Sequence, residues 1–527
     1  MDADASSSVP SNPAFTPSPS PTSSSPFHNF GTTTSTSTAA PTSSPFSPPS
    51  SILIIGSGVF GLSTAYALAR RDVFSNTTIT VVDRASSPSP SSTPVFPARD
   101  ASSIDSSRII RGDYADPAYA ALATEALRQW RNNDSPGSMG AEGRYNECGL
   151  VLVADAEPQA LSALANPSSS STTPNSGASL LEQHNAKKTG IDYVRASWEN
   201  AVALSAQDAE LASRIRLLPD PAAIRDAVGT GGTSGTTGYI NGYAGWADAD
   251  RSMAWLYSRV AATDRVSFVQ GTVSALVHTD DAVTGATLAS GQTLSADLVI
   301  LAAGAWTPSL LDLSGQATAT GQAVAYLPLT DEEQASLSGM PVLLNLTTGL
   351  FIIPPSNNTL KVARHAYGYL NPSSSTTSRN PVSLPRTNLT TPSALSLPPE
   401  ATSSLRSALR EMLPSHTELH DRPFSQERLC WYTDTPTGDF IISYHPRYGR
   451  SLFVATGGSG HGFKFLPVLG DKIVDAVEGR TPEEFVDKWA WKETGEGSER
   501  AVVVVTEDGS RGGVPGLVLD EEMARMG

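Results

Sequence analysis

The chain is poor in cysteine. Its 527 residues hold two, Cys148 and Cys430, too few for a disulfide framework or a structural zinc site. Positive charge is also scarce: 36 Lys and Arg stand against 52 Asp and Glu, a formal net charge of −16. Nucleic-acid phosphate and anionic membrane surfaces select for Lys and Arg, so neither is expected as a partner. Residues 1–50 contain no Lys or Arg, so the basic n-region of a secretory signal and the arginines of a mitochondrial presequence are both missing. The final Arg525, Met526 and Gly527 do not make the Ser-Lys-Leu peroxisomal tripeptide. Long apolar runs are lacking too. The nearest approach, 52–69, contains Gly56, Gly58 and Gly61 and follows a run of prolines, which argues against a membrane span. His365 and His461 have no metal-ligand spacing with any partner, and no metal is expected. These absences point to an intracellular, cytoplasmic protein.

What is present is enough chain for two to four domains, at roughly 150 residues each. Residues 1–50 are mostly Ser, Thr and Pro; they bury too little apolar surface to offset chain entropy, so a disordered arm is expected. Stretches 85–97, 166–179 and 372–399 have similar composition and read as surface insertions. Between these, 50–55 predicts a buried strand, 62–71 has helical apolar spacing, and 78–82 predicts a second strand. The unit spans about 30 residues, the size of one βαβ. Further buried strands are expected at 298–304 and 451–456, and a helix over 464–477. If these join the first sheet, a dinucleotide domain is assembled from separated pieces with a second domain woven between them. Segments 342–353 and 359–364 look like strands with turns between them, which suits a largely antiparallel second sheet.

Gly56-Ser57-Gly58-Val59-Phe60-Gly61 is a G-x-G-x-x-G fingerprint, and Asp83 closes the second predicted strand. The glycines allow a tight turn, close backbone approach to a pyrophosphate, and close packing of helix on strand. The helix start offers free N–H groups and a favourable dipole to phosphate. An acid at the end of the second strand can bond ribose hydroxyls. The pattern alone does not separate FAD from NAD, and Arg84 beside Asp83 leaves an NAD(P)-dependent dehydrogenase open.

Three more groups stand out. Arg108 and Arg111 flank two isoleucines; arginine suits carboxylate recognition because its fork donates two parallel hydrogen bonds. Taken alone, they read as a surface pair with Asp105 or Asp113 as partners. Cys430 begins Cys-Trp-Tyr-Thr, and later Gly458-Ser-Gly-His-Gly-Phe-Lys464 feeds a predicted helix with a lysine in its first turn. A cation there opposes the dipole, and a broken local rule hints at function. Cys430 by itself reads as a small buried hydrophobe. Lys361-Val-Ala-Arg-His365 lies in an apolar strand pattern, where a lysine usually marks an edge or surface.

Together these segments resemble the flavin-dependent amine oxidases of the monomeric sarcosine oxidase family, which also includes L-pipecolate, fungal saccharopine and fructosyl amino acid oxidases. The resemblance runs from about Ile52 to about Trp491, outside the three insertions. Its carriers are Ser-Ser-x-Asp-x-x-Arg-Ile-Ile-Arg at 102–111, Gly-Trp-Ala-Asp-Ala at 245–249, and Cys430 with Ser-Gly-His-Gly-Phe-Lys at 459–464. It implies an α/β plus antiparallel β architecture. A glutathione-reductase-like FAD-binding Rossmann domain (51–140, 245–310 and 429–480) is interleaved with a mainly antiparallel substrate domain (141–244 and 311–428). A C-terminal tail, 481–527, follows, and the protein is expected to be a monomer.

The resemblance implies FAD held by Gly56, Ser57, Gly58, Val59, Phe60 and Gly61, by Asp83 and Arg84, and by Val273 and Gly304. It implies a covalent link from the flavin 8α-methyl carbon to Cys430, with Arg108 packed against the ring. Gly460, His461, Gly462, Phe463 and Lys464 are expected at the pyrimidine end, where the start of a helix favours the anionic reduced state. Lys361, with His365 four residues on, matches a lysine beside flavin N5 that assists oxygen reduction; a fixed cation in a dry pocket stabilises developing superoxide. Arg111 and Lys464 match the pair that grips the substrate carboxylate.

The implied reaction moves hydride from the α-carbon of a neutral amine to flavin N5. Water hydrolyses the imine, and O₂ takes the electrons and leaves as hydrogen peroxide. Ile104 stands where sarcosine oxidases carry a histidine, and Ser107-Arg108 where fructosyl amino acid oxidases usually show Asn-Lys. The Arg-Ile-Ile-Arg block is closer to the saccharopine and pipecolate oxidases. The expected substrate is therefore a secondary amino acid, N-substituted or cyclic, of saccharopine, pipecolate or sarcosine type. A fructosyl amino acid is the alternative.

Overall fold

A computed structural model describes residues 46–85, 95–156, 188–389, 396–493 and 503–525. The expected arm up to residue 45, most of the first insertion, all of the second and the centre of the third lie outside the described residues.

The first sheet grows around Ser51–Ile55, which lies parallel between Leu298–Leu301 and Thr78–Asp83. It extends to Val266–Gln270 on one side, and on the other to Gly449–Thr456 and an antiparallel edge, Ile441–His445. A parallel strand covered on both faces must be apolar throughout, and Ile52, Leu53, Ile54 and Ile55 are all buried. Ile52 and Ile54 face a core that includes helices Val59–Arg70, Ala249–Ala261 and Leu469–Val477. Leu53 and Ile55 face a small antiparallel sheet of Val273–His278, Val283–Leu288 and Thr293–Ser295. The helices approach closely: a Cβ at Gly470 would fall 2.1 Å from the Ser63 carbonyl oxygen.

The expected helix over 464–477 is interrupted. A 3₁₀ turn, Phe463–Phe465, comes first, and the α-helix begins only at Leu469. Pro467 stands between them and has no N–H with which to continue a helical ladder. The glycine block therefore does not open directly into an α-helix, and the dipole expected there has no helix to generate it.

The second sheet has ten strands and is antiparallel except where Leu150–Ala154 meets Val342–Asn345 and Tyr369–Leu370 meets Leu517–Val518. Its longest strand, Thr318–Pro328, pairs with Gln426–Asp434 along one edge and Thr359–Arg364 along the other. The register sets Gln322 opposite Cys430 and Tyr326 opposite Lys361. Residues 429–434, grouped above with the nucleotide domain, thus pair within this sheet, as does Leu517–Val518 from the expected tail. A further short sheet sets Arg108–Ile110 and Tyr145–Glu147 on either side of Gly245–Ala247.

Candidate active site

A cleft opens at the C-terminal ends of the parallel strands, the usual place for a ligand in such a sheet. Of the expected cofactor residues, Gly56, Gly58, Val59, Phe60, Asp83, Arg84, Arg108, Val273, Gly304, Gly460, Gly462 and Phe463 line it. Gly56 needs its freedom: its φ is +101°, and a Cβ would sit 2.5 Å from the Ala302 carbonyl oxygen. At Gly58 the space stays open, with nothing nearer a built Cβ than Ser103 Oγ at 3.9 Å. Ser57 and Gly61 do not line the cleft but shape it. Ser57 donates to Asp83 Oδ2 from its backbone N–H (2.8 Å) and its hydroxyl (2.6 Å). Gly61 abuts Gly56, where a Cβ would lie 1.9 Å from its carbonyl oxygen. Arg84 directs its fork to Asp100, at 2.9 and 3.0 Å, and lies over the Trp306 ring.

A second cavity shares Arg108, Tyr432, Gly460 and Phe463 with the cleft. It brings together Arg108, Arg111, Lys361, His365, Cys430, His461 and Lys464. Its other walls include Ile109, Val324, Leu344, Phe351 and Ile353. Tyr432 lies two residues from Cys430 on the same strand.

The surface readings of the cations give way here. Lys361 is 3% exposed, because its strand runs between two others rather than at an edge. Its ammonium donates to Asp105 Oδ2 at 2.7 Å and to the Ser107 carbonyl at 2.8 Å. Asp105 also accepts from Arg108 and from the Tyr326 hydroxyl at 2.6 Å. Burial favours a neutral Asp105, but Arg108, Lys361 and Arg428 outweigh it and hold the carboxyl well below its usual range. Burial likewise works against charge on Lys361; Asp105 offsets part of this, leaving its pKa at about 8.

Arg111 is buried, its Nη1 without a hydrogen-bond partner among the described residues. Asp113, expected as a partner for this arginine pair, instead accepts from Tyr239 at 2.8 Å and Asn241 at 3.1 Å. Lys464 donates only to neutral groups, the Tyr114 hydroxyl and the His461 carbonyl, both at 2.9 Å. Burial, then the nearby Arg111, push its pKa well below the ordinary lysine value. Arg108 Nη2 lies 3.4 Å from Cys430 Sγ.

Sequence reasoning missed Asp105 as a hub, along with Ser103, Trp306 and Arg511. Asp105 and Ser103 sit inside the block 102–111, so their spacing was visible, but Tyr326 and Lys361, which complete the hub at Asp105, are distant in sequence. Trp306 lies two residues after Gly304, in the turn that follows the Leu298–Leu301 strand, a position that could have been marked.

A family of FAD dependent oxidoreductases matches residues 51–476. The chain belongs to that family. An amino acid oxidase, imqH, of Aspergillus flavus is 33% identical over 477 residues, covering 81% of this chain and 93% of its own. The L-saccharopine oxidase of Schizosaccharomyces pombe is 29% identical, with 85% and 94% covered. Among solved structures, the fructosamine oxidase Amadoriase II of Aspergillus fumigatus superposes with a TM-score of 0.64 at 28% identity, covering 84% of this chain and 89% of its own.

The cofactor is therefore FAD, and the NAD(P) alternative falls. The cleft fits it: among the described residues, Ser103 Oγ is buried without a partner at the edge of the open space beside Gly58. The first turn of Val59–Arg70 carries no side-chain cap or acid that would compete for a phosphate. Among the described residues, no helix is long and apolar enough to cross a membrane.

Proposed function

We propose that the chain is an oxidase of secondary amino acids, N-substituted or cyclic. Amine and O₂ give imine and hydrogen peroxide, and water then cleaves the imine. The observation that carries this reading is the pair Arg111 and Lys464, two buried basic side chains at one cavity, one with a nitrogen unpartnered among the described residues and one held by neutral groups. A carboxylate satisfies both, accepting from the guanidinium and favouring the charged form of the amine. The saccharopine oxidase and amino acid oxidase relatives support the same substrate class.

Bound FAD supplies an acceptor for the two electrons of the amine and a donor for O₂. Lys361 holds a positive charge beside the cavity, which stabilises charge developing on oxygen. Asp105 keeps that charge in place. Cys430 Sγ lies 3.4 Å from Arg108 Nη2 where the two cavities meet, and the resemblance carries a cysteine-linked flavin at this position, so a tether through Cys430 belongs to this proposal. The walls of Ile109, Val324, Leu344, Phe351 and Ile353 suit an apolar substituent.

The test scores peroxide release from pipecolate, saccharopine, sarcosine and a fructosyl amino acid. Activity on at least one of the first three, abolished by Arg111→Met, is the expected outcome. Peroxide from the fructosyl compound alone would replace this reading with the deglycating one. For the tether, acid precipitation leaves wild-type protein yellow, whereas Cys430→Ser releases its colour to the supernatant. A colourless wild-type pellet removes the covalent link.

A further inference from the structure

The family match ends at residue 476, yet the chain beyond it returns to the site. Leu517–Val518 runs parallel to Tyr369–Leu370, Gly512 bridges Ala366, and Thr506 Oγ1 donates to the Thr435 carbonyl at 2.8 Å. From this strap Arg511 turns inward and is 5% exposed. Its Nη2 donates to Asp434 and, at 2.7 Å, to the Ser459 carbonyl. Its Nη1 lies 2.9 and 2.8 Å from the two ring nitrogens of His365.

Each of these three partners ends or begins a segment of the site. Asp434 closes the strand that carries Cys430 and Tyr432. His365 follows directly on the strand that carries Lys361. Ser459, with a left-handed φ of +41°, leads into Gly460–Lys464. We propose that Arg511 is a positioning residue of the substrate site, its guanidinium locking together the segments that present Lys361, Cys430 and Lys464. The inference rests on the amino acid oxidase reading and adds to it a residue outside the family match.

The chemistry suits the task. A planar fork holds a carboxylate, a carbonyl and a ring nitrogen in fixed relative directions, whereas the three donors of an ammonium rotate on a flexible stem. Burial, then Arg511 itself, Arg111 and Lys464, hold the His365 pKa well below its usual value, so the ring is neutral and can accept. Losing Arg511 frees the His365 ring and the Ser459 turn together, and both border the cavity that takes the carboxylate.

Two variants, Arg511→Ala and the double Arg511→Met with Asp434→Asn, test this in purified holoenzyme. The double variant removes both buried charges, so the fold is not left with an uncompensated Asp434; its Tm reports folding. The probe is phenylacetate, an unreactive carboxylate, followed by the flavin absorbance. In both variants its Kd is expected to rise about tenfold or more, the loss expected for hydrogen bonds to a charged group. KM rises by a similar factor, and kcat changes less. If the double variant binds phenylacetate and turns over with wild-type KM, Arg511 merely neutralises Asp434 and the positioning role is overturned. Failure of the wild-type protein itself to bind phenylacetate would instead overturn the amino acid reading on which the inference depends.

Discussion

Lys361 condenses the chemistry of the site into one ammonium. The residue pattern suggested a surface lysine, since a strand sequence does not reveal which of its faces is covered. The covering comes from Asp105, 256 positions away. The same holds for Arg111, whose burial depends on Tyr114 and Tyr193, neither signalled by spacing. With its pKa near 8, Lys361 carries its proton below that value and loses it above. Reoxidation of the reduced enzyme by O₂ is therefore expected to slow as pH rises through about 8, while anaerobic reduction by substrate follows a different profile. Lys361→Met should slow reoxidation about 10²-fold, the scale of removing one charge-stabilising group, and abolish that pH step. Stopped-flow traces of the two half-reactions decide it: equal rates in variant and wild type would deny Lys361 its role.

At the scale of elements, the strand and helix around the glycine fingerprint could be read directly because their contacts are local. The strand run, the turn and the acid lie within Ser51–Asp83, and Gly56 and Gly61 meet each other across the turn. Distant packing was not readable in this way. The segment after Gly462 has helical spacing, but Pro467 splits it, and the helix that does form nests against Ser63 through Gly470. Gly470→Ala places a methyl where the Ser63 carbonyl already sits, so the helix must shift. A loss of about 1–3 kcal/mol, the usual cost of overpacking, is expected in urea unfolding, with flavin retained. A midpoint unchanged from wild type would show that the helix yields without strain.

At the scale of the molecule, the cofactor cleft belongs to the parallel sheet, whereas Lys361 and Cys430 come from the antiparallel one. Binding FAD therefore clasps two cores, and the clasp should register in global stability. A ligand held by mass action raises Tm as its free concentration rises; a covalent one does not. Added FAD should leave the Tm of the wild-type holoenzyme unchanged and raise that of Cys430→Ser in a concentration-dependent way. A wild-type Tm that climbs with free FAD would argue for a dissociable cofactor.

The separated strands also have a consequence for synthesis. Ser51–Ile55 and Thr78–Asp83 leave the ribosome early, but Leu298–Leu301 follows much later and its outer neighbour Gly449–Thr456 later still. Until then the growing polypeptide carries an unpaired, apolar edge, the kind of surface that invites aggregation. Neither the cradle for the coenzyme nor the latch supplied by Arg511 exists before Gly449–Thr456 and then residue 511 have been made, so loading of this oxidase with FAD follows their synthesis rather than that of the first βαβ unit.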